Sequence, residues 1–510
     1  MTAVASLRVG LVRTAQRQWA LSVALALLMA LSLFLRTREL DAGFWIDEGI
    51  SVGIAHHHWT SIPGLLNQDG SPPAYYMLLG LWIRLFGDGE RATHTLSLVF
   101  ALACVPLAYA LGRAVFDQAT GAVCAVIAAL DPYLTYYAQE TRMYELEAFL
   151  SLVVTYAYVQ GVLRGRRIWA IALVPALDLM VYTHNWGLFV CVGLAVATAV
   201  VARERLKRFS LVAAGVAVLY LPWVPTILSQ VRHTGAPWSS SPSFHSLVLA
   251  PGAVISGDTA YVALAIVAFA GLIPFLRRAR SEERTIALAL ALVAGITVLA
   301  AWISSQVSPA WTTRYFAVVL GPMVLLAARA IVRGRQVGLV ALVALVFLWL
   351  GYSVRDDKEN ARQVSARLAA SMRHGELVVS THPEQVPVFR YYLGGGFRFA
   401  TTLGPVSDER IFDWRDAVER LRASSMRARV DETIAAVPPG GEFVVISPVF
   451  RDYRAWNATW TRLVWRTSTA YTRLLQSDPR VRLVRHIATN EVAIEHNYFK
   501  PMQASIYRRR

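Results

Sequence analysis

Up to Val354 the chain alternates long apolar runs with short polar segments, and beyond it the alternation stops. A helix needs roughly 20 apolar residues to cross the hydrocarbon core of a bilayer. About eleven runs approach that length, near 20–35, 94–112, 121–138, 145–163, 167–183, 186–202, 209–228, 260–276, 285–306, 314–332 and 338–354. A shorter piece, AYYMLLGLWIRLFG from Ala74 to Gly87, is interrupted by Arg84 and is expected to lie along the membrane surface. After Val354, strand-like pieces such as ELVVS (Glu376 to Ser380) and EFVVISP (Glu442 to Pro448) alternate with helix-like pieces such as EQVPVFRYYL. The pattern predicts a polytopic α-helical membrane domain over residues 1–354 and a soluble α/β domain over 355–510. The clearest turns of the soluble part, GGG at Gly394 and PPGG at Pro438, lack the context of a phosphate loop.

The polar segments between the runs fall into two alternating sets. One holds the basic N-terminus with Arg8, Arg13 and Arg17, then Arg113, RGRR (Arg164 to Arg167), RERLKR (Arg203 to Arg208), RRARSEER (Arg277 to Arg284) and RGR (Arg333 to Arg335). The other holds FWIDEG, YAQETRMY, THNWG, the Ser-rich stretch after Gln230 and SPAWTTRY. Basic loops stay on the cytoplasmic side, so the second set and the soluble domain are expected to be extracytoplasmic, in a multi-pass cell-membrane protein. Counting Ala74–Gly87 as a span would invert every later loop and export the Arg clusters. No small-residue cleavage site ends the first run, so a retained first helix is expected.

Composition agrees. The chain is 55% hydrophobic and 16% charged, against roughly 25% charged in soluble domains, with a mean hydropathy of +0.42. The net charge of +16 comes mostly from Arg clusters between apolar runs, a pattern better explained by membrane topology, so no nucleic-acid partner is expected. Cys104, Cys124 and Cys191 all lie in apolar segments and form neither a disulfide framework nor a metal spacing.

The chemistry-bearing residues lie in the second set. Asp47 and Glu48 in FWIDEG are either solvated acids at a helix end or a general base beside Trp45, whose apolar surroundings would raise a carboxylate's proton affinity. YYAQETRMYELE packs Gln139, Glu140, Arg142, Tyr144 and Glu145 between two spans, a mixture suited to binding a ring and a phosphate together. His184 and Trp186 in THNWG suit a structural interface as well as a site. Arg314 opens a span against the helix dipole, a placement that a lipid phosphate would explain. The HHH run at His56 to His58 points its rings about 100° apart and cannot by itself converge on a metal. Asp131 and Asp178 lie within apolar runs; Asp131 before Pro132 suits a helix cap, and Asp178 suits a partner on a neighbouring helix.

FWIDEG after a first span, then SPPAYYMLLGLWIRLFGDGERATHTLSLVF, DPYLTYYAQETRMYELEAFLSL and TTRYFAVVLGPMVLL, in that order, resemble the bacterial members of glycosyltransferase family 39. That group includes protein O-mannosyltransferases and lipid A aminoarabinose transferases of the GT-C fold, and the likeness covers roughly the first 355 residues. The resemblance implies inverting transfer of a mannose- or arabinose-like sugar from a polyprenyl-phosphate donor to a glycan, lipid or protein acceptor at the outer membrane surface. It implies that Asp47 is the catalytic base or acceptor-orienting group and that Glu48 completes its acidic pair. By the same resemblance Arg142, Arg314 and Tyr315 bind the donor phosphate, and Gln139, Glu140 and Tyr144 bind substrate; His184, from its outer hairpin, is a further substrate-binding candidate. No metal site is assigned and no cofactor is required with certainty, with a divalent cation left open. Two departures stand out: Ser71-Pro72-Pro73 replaces the relatives' His-Pro-Pro, and Asp131 stands where they often have Ser. The alternative is a flippase of lipid-linked sugar, although flippases often show repeated halves and no repeat is evident in this chain.

Overall fold

The structure, a computed structural model, describes residues 2–255, 263–268, 279–352, 358–450, 457–488 and 501–510. Among them, six helices are long and apolar enough to span a membrane: Gln18–Arg36, Glu90–Val115, Tyr144–Leu163, Arg203–His233, Ser281–Val307 and Thr313–Arg333. Shorter helices Gln118–Leu130, Arg167–Thr183, Gly187–Val201 and Arg335–Leu350 lie on the other expected runs. The run 260–276 falls mostly outside the described residues. The run 121–138 is broken by Asp131, which caps the short helix Pro132–Tyr137 by accepting the Tyr133 N–H at 2.7 Å. This intramembrane acid is therefore a helix cap.

The two sets of polar loops gather separately. In the basic set, Arg164 pairs with Glu282 at 2.8 Å and donates to the carbonyl of Ala114, while Glu283 accepts from both Arg329 and Arg333. In the other set, Gln139 accepts the Glu39 N–H at 2.6 Å, Asn185 donates to the Gly70 carbonyl at 3.1 Å, and Ser239 donates to the Trp311 carbonyl at 3.2 Å. This grouping needs Ala74–Phe86 to remain at one end of the bundle, as its Arg84 interruption suggests.

Among the described residues, the C-terminal part holds a six-stranded mixed sheet in the order β3-β2-β1-β4-β6-β5, formed by β1 (Leu377–Ser380), β2 (Arg398–Thr401), β3 (Gly404–Pro405), β4 (Glu442–Pro448), β5 (Val481–Ile487) and β6 (Met502–Arg509). β1 runs parallel to both β2 and β4, whereas the outer pairs are antiparallel. Strand side chains alternate between faces. Val378, Val444 and Ile446 on one face pack into the core that continues into the membrane domain, while Val379, Phe443 and Val445 on the other pack with Val430, Ile434 and Tyr471. The soluble domain is thus joined to the bundle by shared apolar packing. Two glycines of the first polar helix, Ile46–Ala55, permit that approach: a Cβ on Gly49 would lie 2.6 Å from Val388 Cβ, and one on Gly53 would lie 2.0 Å from the Arg410 carbonyl.

Candidate active site

FWIDEG answers two structural demands at once. Phe44 is fully buried against His94 and Tyr391, and the helix begins at Ile46, which puts both acids in its first turn. Acids there complement the helix dipole. Successive helical residues diverge by about 100°, so Asp47 and Glu48 face different surroundings.

Glu48 faces inward and is fully buried. It accepts from His94 Nε2 at 2.7 Å, from the Thr141 N–H at 2.7 Å and from Lys358 Nζ at 3.1 Å. Burial alone would push its carboxyl up, but Lys358 and then His94 outweigh burial and hold it low. Lys358 also donates to the Gln139 carbonyl at 2.8 Å. Gln139 and Glu140 therefore stand with Glu48 behind the cavity, and none of the three lines it. Burial raises the Glu140 carboxyl to about 7, outweighing the opposing pull of Lys358.

Asp47 faces a cavity of about 660 Å³. Its Oδ2 lies 3.4 Å from Arg314 Nη2 and 3.9 Å from Arg142 Nη2. Arg142 is oriented by Ser51 Oγ at 2.8 Å, the Asp47 carbonyl at 3.2 Å and Tyr76 Oη at 3.4 Å. Tyr144 stands behind it, with its hydroxyl 3.5 Å from Nη2. Arg314 lies over the rings of Trp45 and Tyr315, 5.3 and 5.7 Å from their centroids. The buried Nε of each arginine has no hydrogen-bond partner among the described residues. Two guanidiniums against one carboxylate leave a net positive charge on the cavity wall, suited to bidentate capture of a phosphate.

His184 and Tyr315 complete this wall, their rings 4.5 Å apart. Burial, then Arg142 and Arg314, lowers the His184 imidazole to about 3, so it is neutral at physiological pH. Its Nδ1 accepts the Trp186 N–H at 3.2 Å, which leaves Nε2 as the protonated donor. Of the residues expected at the site, the structure thus brings Asp47, Arg142, His184, Arg314 and Tyr315 to one cavity.

Other cavity residues carried only weak sequence signals. Asp69 lines the cavity from the C-terminus of helix Ile62–Asp69, where Tyr76 Oη donates to it at 3.2 Å and burial raises its carboxyl. The sequence marks this position only as a helix stop, through Gly70 at φ +94° and the two prolines after Ser71. Trp238, Glu384 and Trp414 also line the cavity, the last two from the soluble domain. The HHH triplet disperses: His56 faces Asp88, His57 faces Asp408 and His58 faces Thr60. Among the described residues no three His, Cys, Asp or Glu side chains converge as metal ligands.

Residues 70–228 match the family model described as dolichyl-phosphate-mannose-protein mannosyltransferase. No curated protein matches the chain by sequence. The chain is similar in structure to ArnT from Cupriavidus metallidurans in the apo state, at 14% identity and a TM-score of 0.59, covering 96% of this chain and 98% of that one. ArnT bound to undecaprenyl phosphate matches at 14% identity and a TM-score of 0.60, over 94% and 97% of the two chains. The oligosaccharyltransferase AglB from Archaeoglobus fulgidus, in complex with an inhibitory peptide and a dolichol-phosphate, matches at 10% identity and a TM-score of 0.54, over 85% and 70%. At such identities the likeness establishes the fold, which is that of the GT-C membrane glycosyltransferases.

Proposed function

We propose that this chain is a membrane glycosyltransferase, a reading supported by its GT-C fold and by the family-model match over residues 70–228, and that it transfers a mannose- or arabinose-like sugar from a polyprenyl phosphate to an acceptor hydroxyl at the extracytoplasmic membrane surface. The observation that carries this reading is the Asp47 carboxylate held between Arg142 and Arg314 on the wall of the cavity.

The donor's phosphodiester seats against the two guanidiniums, and its lipid tail remains in the bilayer. Asp47 orients the acceptor hydroxyl and takes its proton as the oxygen attacks the anomeric carbon. The bond from that carbon to the phosphate oxygen breaks with inversion, and the electron pair leaves with the polyprenyl phosphate. Arg142 and Arg314 then face a departing dianion, so their attraction is greater in the transition state than in the ground state. Neutral His184 offers an Nε2 donor beside them without adding charge. A divalent cation is not needed in this reading, because the arginines already meet the developing charge and repel a cation from Asp47.

The test is transfer of labelled sugar from a panel of polyprenyl-phosphate donors to membrane acceptors, by wild type and by Asp47→Asn at equal expression. Use of one donor by wild type and loss in the variant support the reading. Absence of transfer with every donor, together with movement of lipid-linked sugar between leaflets, would assign the chain to flipping instead.

A further inference from the structure

The cavity's second wall comes from the soluble domain, and its composition differs from that of the arginine wall. Glu384, Trp414 and Thr461 line it, facing Trp238 and Ser239 from the polar loop after Gln230. Three backbone hydrogen bonds fix the seam: the Trp414 N–H to the Gln68 carbonyl at 2.9 Å, the Asp416 N–H to the His233 carbonyl at 2.7 Å, and the Trp460 N–H to the Pro237 carbonyl at 3.1 Å. Trp238 and Trp414 pack across it with ring centroids 4.5 Å apart, and Trp414 in turn packs on Trp460 at 5.3 Å. Each of these contacts joins a membrane-domain loop to the soluble domain or stiffens the wall behind it.

The sheet topology independently marks this wall. β1 has β2 on one side and β4 on the other, both parallel to it, so the chain order reverses at β1 and β4. In open α/β sheets, ligands bind beyond the carboxyl ends of strands at such a reversal. The segment leaving the carboxyl end of β1 runs from Thr381 into the turn Pro383–Gln385 and carries Glu384 to the cavity. Glu384 is fixed there by the Trp460 indole N–H, which donates to Oε2. The Trp238 indole N–H on the facing loop is buried without a hydrogen-bond partner among the described residues.

We propose that this wall is the acceptor subsite and that the acceptor is a carbohydrate. Indole faces pack against the apolar face of a pyranose or furanose ring. The Trp238 N–H supplies a hydrogen bond to a ring hydroxyl, while the Glu384 carboxylate and the Thr461 oxygen, whose own proton goes to the Ala458 carbonyl at 3.2 Å, accept from ring hydroxyls. Among the described residues, this wall adds no cation to attract a phosphorylated or acidic acceptor. This assignment rests on the transferase reading for its meaning, and its test measures binding alone.

The experiment uses full-length protein in nanodiscs, presented to an array of mannan, arabinan and glucan oligosaccharides and to a Ser/Thr-rich peptide, with polyprenyl phosphate binding measured in parallel. The expected result is binding of at least one oligosaccharide class and not of the peptide, weakened roughly tenfold by Glu384→Gln, the loss of one charge-assisted hydrogen bond. Thr461→Val should weaken it less, and both variants should retain polyprenyl phosphate, which also shows that they are folded. Absence of glycan binding to wild type, equal binding by wild type and both variants, or peptide binding that depends on Glu384 would overturn the proposal. If polyprenyl phosphate fails to bind wild type while glycan binding follows the prediction, the donor reading fails and the carbohydrate subsite stands.

Discussion

Asp47 Oδ2 and Arg314 Nη2 lie 3.4 Å apart across the cavity wall, one from the first polar helix and the other from the start of a span more than 250 residues later. The carboxylate fixes a guanidinium that is otherwise held by ring contacts, so each residue prepares the other for substrate. Asp47→Asn is expected to lower transfer by about 10² to 10⁴-fold, the usual contribution of a positioned proton acceptor. Polyprenyl phosphate affinity should fall far less. An equal loss of both would make Asp47 a holder of the arginines.

Arg314→Lys keeps the charge but loses the fork and the stacking on Trp45. Loss of one charge-assisted hydrogen bond costs about 1.5–3 kcal/mol, so polyprenyl phosphate binding should weaken by roughly 10 to 100-fold. A lysine variant that binds at wild-type strength would place the phosphate elsewhere.

Asp69 offers a pH signature. Its carboxyl is raised from 3.8 by burial, and on the cavity wall its ionised form is the stronger acceptor for a substrate hydroxyl. The acid limb of the transfer rate should therefore lie above 3.8 and disappear in Asp69→Asn. A slowed variant with an unchanged limb would assign Asp69 to positioning.

Glu48 and Lys358 form a buried pair whose role is to hold the soluble domain's first residues against the bundle. Lys358→Met leaves the buried carboxylate to His94 and the Thr141 N–H without its cation and should cost up to about 3–5 kcal/mol, read as a lower Tm in nanodiscs. Glu48→Gln combined with Lys358→Met should recover much of that loss. The pH dependence has a definite sign: Glu48 is held below its ordinary 4.5, so its stabilisation is complete above that value and is lost as pH falls through the depressed one. Transfer recovered with stability in the double variant separates Glu48 from the chemistry.

EDTA is expected to leave transfer at its wild-type rate. A loss that Mg²⁺ or Mn²⁺ restores would contradict the arginine-only account of phosphate charge.

The helical framework was legible because hydrophobic run length and Arg placement are local properties. Asp47, Arg142 and Arg314 were legible through motif order, and the structure adds that they meet. Glu48 and Gln139 lie in the same motifs, yet their partner is Lys358, more than 200 residues from either of them. Nothing local indicates which of two adjacent acids turns inward. Asp69 and Glu384 were hidden for a related reason: each sits at the end of a short element, and only tertiary docking brings it to the cavity.

The basic loops acquire a temporal meaning from their ion pairs. Glu282 takes Arg164, and Glu283 takes Arg329 and Arg333, pairings that join segments far apart in sequence. During synthesis the earlier arginine emerges long before its acid, so it meets the insertion machinery as a bare cation. A residue can thus direct orientation while the chain is being made and fasten the finished bundle afterwards. Reversing an Arg164–Glu282 pair would preserve the second duty and forfeit the first.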